Sequence, residues 1–396
     1  MKSKIVILGG GNAGISAAAQ LLNKNPKLNL TIVEPSDRHF YQPAWTMVGS
    51  GIYDFSKTVR PESFVIPHKA NWIRKKAVGF LPEKNFVQLE NNETLEYDIL
   101  VVAVGIKLLW EEIRGLKDTL GMNNVCSVYS PETVEYTWKC VQNFKGGKAI
   151  FTAPHTPIKC GGAPQKIMYM ASDYFRKKGL LEKSEIEFWS GGTRLFGVDK
   201  YEKTLLKVAD KYKIKRNFRH KLIEVDGTNK IAVFQEIQGN HQGEIKKVPF
   251  NLLHVSPPQG PHDFIKDSPL ADANGWVDVD KFTLQHKKYP NIFSLGDTAS
   301  LPTSRTGAAI RKQVPVLVKN IMSFLNNQPL TASYNGYSSC PVLTGYDKLV
   351  LCEFDYNNQP AETFPFDQSK ERLSMFLLKR YLLPWLYWNK ILTGKM

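Results

Sequence analysis

No C-x-x-C pair occurs in the 396 residues, and the five cysteines, Cys126, Cys140, Cys160, Cys340 and Cys352, lie far apart. That excludes a secreted disulfide scaffold and a zinc knuckle, and no metal site is expected. A reducing context follows, in which any bridge would be catalytic. No apolar run reaches the roughly 18 residues that span a bilayer. Repeats and low-complexity stretches are also missing. The 52 basic and 37 acidic residues give a net charge of +15, spread along the chain without a nucleic-acid motif. Nucleic acid is therefore not an expected partner, and an anionic membrane surface is. The start, Met1-Lys-Ser-Lys-Ile-Val-Ile-Leu8, breaks at Gly9-Gly10-Gly11 without a cleavage site. It reads as a first strand, not as a signal or transit peptide.

A dinucleotide-binding unit opens the chain. Lys4 to Leu8 reads as a strand, Ala13 to Asn25 as a helix and Leu28 to Glu34 as a second strand. Between the first two lies Gly9-x-Gly11-x-x-Gly14, and Glu34 follows about twenty residues on, where an acid bonds an adenosine ribose. Tyr97 to Gly105 is a buried strand entering a glycine turn, and Asn291 to Asp297 is another that ends in Gly-Asp. The three segments in this order resemble flavoproteins with two dinucleotide-binding domains, in which the Gly-Asp aspartate bonds the flavin's ribityl chain.

The second unit lacks the phosphate loop. Lys148 to Pro154 reads as a strand and Ala163 to Lys178 as the helix after it. The connection is His155-Thr-Pro-Ile-Lys159-Cys160-Gly161-Gly162, with no Gly-x-Gly-x-x-Gly. Ser190-Gly-Gly follows the next strand, Glu185 to Trp189, where a ribose-binding residue would stand. Both halves of a nicotinamide site are missing. A thiol at a helix N-terminus, between Lys159 and Lys166, is expected to have a lowered pKa.

The expected architecture is α/β, with two Rossmann-like domains, the second inserted in the first, and a C-terminal membrane-associated segment. The boundaries fall at 1–114 with 271–330 for the first domain, 115–270 for the second and 331–396 for the C-terminal region. Ser338 to Pro341 reads as a short loop. The tail from Glu371 mixes Met375-Phe-Leu-Leu378 and Tyr381 to Trp388 with Lys379, Arg380 and Lys390 at the borders, as in a helix lying in a membrane interface. Pro384 is expected to break it into two short helices.

His39 to Pro43, Thr156 to Met168, Gly275 to Asp280, Ser339 to Pro341 and Phe364 to Met375 closely resemble stretches of the sulfide:quinone oxidoreductases, in the branch that includes the mitochondrial enzymes. The resemblance implies FAD, a membrane quinone, monotopic attachment and a redox pair formed by Cys160 and Cys340. It places cofactor contacts on Gly9, Gly11, Asn12, Ala13, Gly14, Glu34, Gln42, Ala77, Gly105, Asp297, Gly307, Ala308, Ala309 and Ile310. Phe364, Phe366 and Tyr381 are candidate walls for the quinone ring. Cys126 stands where other branches carry a third redox cysteine, and a buried spectator thiol is the other reading of it.

The activity so implied is oxidation of hydrogen sulfide to sulfane sulfur, with the sulfur handed to a small acceptor: sulfite, glutathione, coenzyme A or a second sulfide. The bacterial inner membrane, with the catalytic domains on its cytoplasmic side, is the expected location, and the sequence leaves room for a homo-oligomer. A type II NADH:quinone oxidoreductase is the alternative enzyme, and a flavin protein that binds polysulfide without turnover is the alternative from another class.

Overall fold

The computed structural model describes residues 3–396 and is built on two five-stranded parallel sheets. In the first, the strands run in the order Ile292–Ser294, Ile99–Val102, Lys4–Leu8, Asn29–Val33, Asn71–Ile73. Every pairing is parallel, with Ile5 opposite both Leu30 and Ile99. The central strand is buried on both faces, which is why it reads as an unbroken apolar run and not as an alternation. The second sheet has the order Val125–Cys126, Leu252–His254, Gly147–Ala153, Ser184–Ser190, Lys215–Phe218, again all parallel. Its residues lie in sequence between two neighbouring strands of the first sheet, so one Rossmann-like unit is inserted in the other. A small antiparallel pair, Lys107–Leu108 with Gln259–Gly260, joins the crossing segments.

Two helices set the site. Asn12–Lys24 starts directly after the glycine loop, and Ala163–Lys177 starts after the Cys160 loop with Pro164 in its first turn. Gly307–Leu325 packs against Asn12–Lys24 and begins at Thr306, whose hydroxyl accepts from the Ala309 N–H at 3.1 Å.

The C-terminal region departs from expectation in two places. Ser338 to Pro341 is not a loop: it opens the strand Ser338–Gly345, paired antiparallel with Lys348–Phe354 so that Cys340 faces Cys352. The hairpin stands alone, so Pro341 needs no ladder donor on its outer edge. Nor does Pro384 break the tail. Helical backbone runs from Leu373 to Ile391, α-helical at Leu373–Leu377 and Leu383–Leu386 and π-type at Leu378–Leu382 and Tyr387–Ile391. The wider turn before Pro384 absorbs the missing N–H, as π-bulges do.

Candidate active site: a thiol pair beside a cofactor-sized cavity

A cavity of about 610 Å³ runs from the glycine loop, past the Cys160 loop, to the C-terminal helix. Its near end is a cradle made for close backbone approach. Gly9 has φ +101°, open to glycine but strained for other residues. A Cβ on Gly14 would lie 1.9 Å from the Gly9 carbonyl, so the helix can start this tightly only with glycine. A Cβ on Gly11 would meet nothing within 4 Å, which leaves room at the helix N-terminus for a phosphate. Glu34 lines the cavity with both oxygens oriented by backbone: the Gly10 N–H at 2.7 Å and the Ser36 N–H at 2.8 Å. Spare lone pairs remain for ribose hydroxyls.

Gly9, Gly11, Asn12, Ala13, Glu34, Gln42, Gly105, Asp297, Gly307, Ala308 and Ile310 all line this cavity. Gly14 shapes it from behind, and Ala309 lines a small recess beside it. Ala77 does not reach it. It opens the strand Ala77–Leu81 of a separate antiparallel sheet, paired with Leu89, which removes it from the expected contacts. Burial raises the Asp297 carboxyl, opposed by the charges of Lys159 and Arg305. Lys159 Nζ donates to Gln42 Oε1 at 2.6 Å, so of the two lysines flanking the thiol this one turns toward the flavin-type cradle.

The other lysine meets the sulfur. Lys166 Nζ lies 2.9 Å from Cys160 Sγ, and Cys160 Sγ lies 3.9 Å from Cys340 Sγ across a separation of 180 residues. Three local features produce this meeting. Cys160 takes a left-handed backbone, φ +53°, held by its N–H to the Arg305 carbonyl at 2.7 Å and its carbonyl to the Ala163 N–H at 2.7 Å. Such a conformation in a non-glycine residue costs about 1–2 kcal/mol and tends to mark functional positions. Gly162 leaves the space: a Cβ there would stand 2.4 Å from Cys340 Sγ. The strand Ser338–Gly345 then lays Cys340 against the start of the Ala163–Lys177 helix.

Electrostatics differ sharply between the two thiols. The hydrogen bond with Cys340, and then the Lys166 charge, hold Cys160 well below the usual thiol value against the effect of burial. The bond to Cys160 and burial push Cys340 well above it. Burial opposes the Lys166 ammonium, but the sulfurs of Cys160 and Cys340 keep it above its ordinary value. One proton is thus shared unequally, with the thiolate on Cys160.

The remaining candidates separate. Phe364 lines the cavity, its N–H held by Gln368 at 2.9 Å. Phe366 stacks on Phe364 at 5.3 Å and lies under Arg372 at 4.4 Å, one layer removed from the cavity. Tyr381 is 59% exposed on the outer face of the tail helix and is no quinone wall. Cys126 is fully buried against Cys140 in the core of the second unit, with burial raising its thiol well above the usual value. It does not line the cavity.

Sequence reasoning missed three features. Lys379 was placed among charges bordering a lipid-facing run, yet it is 2% exposed and donates from Nζ to the Pro43 carbonyl at 3.1 Å inside the cavity wall. Burial, then the charge of Lys166, pushes its ammonium down to about 7. His39 ties the tail to the cradle: Nδ1 bonds the Gly10 carbonyl at 3.0 Å, and Nε2 bonds the Tyr387 hydroxyl at 2.6 Å. Glu62 approaches the same ring at 3.3 Å, its carboxyl raised by burial and drawn down by His39. The third feature is Tyr129, which lines the cavity beside Cys160. No helix among the described residues is long and apolar enough to cross a membrane.

Two Rossmann-like units, a glycine cradle and a paired thiol beside the same cavity define a disulphide oxidoreductase of the flavoprotein type. Residues 3–133 match the family described as pyridine nucleotide-disulphide oxidoreductase. The chain is 46% identical to the mitochondrial sulfide:quinone oxidoreductase of Dictyostelium discoideum and 45% identical to that of Mus musculus. Each alignment covers 99% of this chain and 86% of the relative. The solved structure of the sulfide:quinone oxidoreductase from Aquifex aeolicus superposes with a TM-score of 0.84 over 99% of this chain and 92% of that one, at 20% identity, and so shares the fold. The chain belongs to the sulfide:quinone oxidoreductase family. The relatives at 45–46% identity are mitochondrial by name, which counts against the bacterial inner membrane expected from sequence.

Proposed function

We infer that this chain oxidises sulfide at the Cys160/Cys340 pair and delivers the electrons to a membrane quinone. The observation that carries the reading is the 3.9 Å approach of the two sulfurs, with Lys166 on one of them, beside a cavity that begins in a dinucleotide cradle and continues to the C-terminal helix. FAD fits that cradle: Gly9, Gly11, Asn12 and Ala13 would hold its pyrophosphate, Glu34 its ribose and Asp297 its ribityl chain. When bound, it would supply the two-electron redox chemistry that links the thiols to quinone. The division into 1–114 with 271–330, 115–270 and 331–396 follows the same reading.

In the oxidised pair the sulfurs are bridged, directly or through an added sulfur. Where the bridge is direct, hydrosulfide attacks Cys340, and Cys160 leaves as thiolate, because the sulfur of lower pKa is the better leaving group. The bond formed is the persulfide S–S bond on Cys340, and the bond broken is the one to Cys160. Lys166 stabilises the negative charge that appears on Cys160. A small acceptor (sulfite, a thiol such as glutathione or coenzyme A, or sulfide) then removes the outer sulfur from Cys340.

Quinone is assigned to the far end of the cavity, among Phe364, Leu378, Lys379, Leu382 and Leu386. Its reduction consumes two protons, and Lys379, with an ammonium near neutrality, is suited to donate one. Outside, Leu373, Leu377, Tyr381 and Trp385 form an exposed apolar stripe on the same helix, flanked by Arg380 and Lys390. This face suits a lipid surface, from which quinone would enter. The test is anaerobic titration of the purified holoprotein with sulfide, followed by quinone.

A further inference from the structure

Three lysines line the cavity, and each commits its ammonium differently. Lys166 donates to the Cys160 sulfur, and Lys379 donates to the Pro43 carbonyl. Lys159 Nζ donates once, to Gln42 Oε1 at 2.6 Å, and forms no ion pair among the described residues. An ammonium carries three donors, so two of its N–H groups remain for whatever fills the cavity. Burial draws this ammonium below its ordinary value, opposed by the charge of Asp297. An anion brought against it would reverse that fall. Nor is the side chain needed to hold the loop. The Lys159 N–H donates to Gln259 Oε1 at 2.9 Å, and the Cys160 N–H donates to the Arg305 carbonyl at 2.7 Å. Arg305, a neighbouring cation, is engaged elsewhere: its Nε donates to the Asp297 carbonyl and its guanidinium lies 4.0 Å from the Trp276 ring centre.

Lys159 is joined to Cys160 through the chain and to Gln42 through its ammonium, so its charge lies between the thiol and the cradle. When the Cys160–Cys340 bond re-forms directly, the Cys160 thiolate and the Cys340 thiol give up two electrons and one proton. One unit of negative charge therefore leaves Cys160, where Lys166 had stabilised it, and passes to the cofactor. We propose that Lys159 stabilises this charge on the reduced flavin and so sets how readily the cofactor takes electrons from the thiols. The proposal rests on FAD being the cofactor and the cysteine pair its electron donor. Two lysines then serve the two ends of one transfer, Lys166 at the sulfur and Lys159 at the flavin.

The test is anaerobic equilibrium reduction of the holoprotein against a dye of known potential, for wild type, Lys159→Met and Lys159→Arg. The flavin band records the reduced fraction. At the wild-type midpoint, Lys159→Met should hold about tenfold less reduced relative to oxidised flavin, which is about 30 mV for a two-electron couple. Lys159→Arg keeps a cation and should stay within about twofold of wild type. In Lys159→Met the pH midpoint of Cys160 alkylation should not move, since Lys166 is the lysine on the sulfur. An unchanged flavin potential in Lys159→Met would overturn the proposal, as would an arginine variant that falls as far as the methionine one. A shifted alkylation midpoint would also overturn it, by placing the charge on the thiol. So would loss of bound flavin in Lys159→Met, which would make the lysine a binding contact. No sulfide enters these titrations, so they do not depend on the substrate. A wild-type protein that purifies without flavin would instead remove the cofactor reading itself.

Discussion

Lys166 Nζ stands 2.9 Å from Cys160 Sγ, one helical turn into the helix that follows the thiol. The hydrogen bond between the two thiols, and then this contact, divide their labour, since the thiolate resides on Cys160 and the proton on Cys340. Because the folded-state pKa of Cys160 is depressed, its thiolate persists below the ordinary value of 9.0 and is lost as pH falls through the lowered pKa. Alkylation of the reduced protein by iodoacetamide should therefore be fast at neutral pH. Lys166→Met should move the midpoint of that profile upward. An unshifted midpoint would show that the lysine charge does not control the thiol.

Cys160→Ser and Cys340→Ser should each abolish sulfide-driven quinone reduction and leave the flavin bound, since the cradle is built from other residues. Cys352→Ser should keep turnover but lower the Tm, because it places a hydroxyl at a fully buried position opposite Cys340. Steady-state turnover and flavin absorbance check all three. A Cys340→Ser protein with wild-type turnover would refute the pairing.

Gly162→Ala is a sharper probe of the same geometry. Its Cβ would sit 2.4 Å from Cys340 Sγ, forcing the sulfurs apart. Turnover should fall at least about a hundredfold, the scale of an ångström-level misplacement of reacting groups. Flavin content should not change. An active Gly162→Ala enzyme would mean that the close approach is not needed.

Glu34→Ala should purify with much less flavin, because each charge-assisted bond to a ribose hydroxyl contributes about 1.5–3 kcal/mol. Absorbance ratios of dilute protein measure this. Full occupancy would assign the carboxylate only to holding Gly10 and Ser36.

On the tail helix, two faces predict two phenotypes. Tyr381→Glu with Trp385→Glu alters only exposed positions, so liposome binding and long-chain quinone turnover should fall while sulfide still bleaches the flavin. Truncation after Lys370 removes Lys379, Leu383 and Tyr387 from the cavity wall and should cost both half-reactions. Lys379→Met should slow quinone reduction selectively. In wild type the protonated lysine predominates below about pH 7, so quinone reduction should decline as pH rises through that value.

The cradle was legible in the sequence because each of its parts is local: a strand, three glycines and an acid about twenty residues on. Cys160 was legible for the same reason, as an intrusion in a loop whose ordinary chemistry is known. The C-terminal region was not. Ser338 to Pro341 looked like a turn because proline and serine favour turns, and only the pairing with Lys348–Phe354 makes it an edge strand. Pro384 looked like a break, yet the π-type turn before it carries the helix through. Lys379 looked lipid-facing because its neighbours are. Which face of a helix meets a cavity depends on tertiary packing, here on His39 and Tyr41 receiving Tyr387 and Trp388. Tyr129 reaches the cavity from a segment that carries no motif.

The central claim is that electrons enter through the Cys160/Cys340 pair from sulfide and leave to quinone. Anaerobic titration of the holoprotein, followed at the flavin absorbance band, tests it most directly. Sulfide should bleach the band, NADH at the same concentration should not, and added quinone should restore it. Bleaching by NADH, or a sulfide-bleached band that quinone leaves unchanged, would contradict the account.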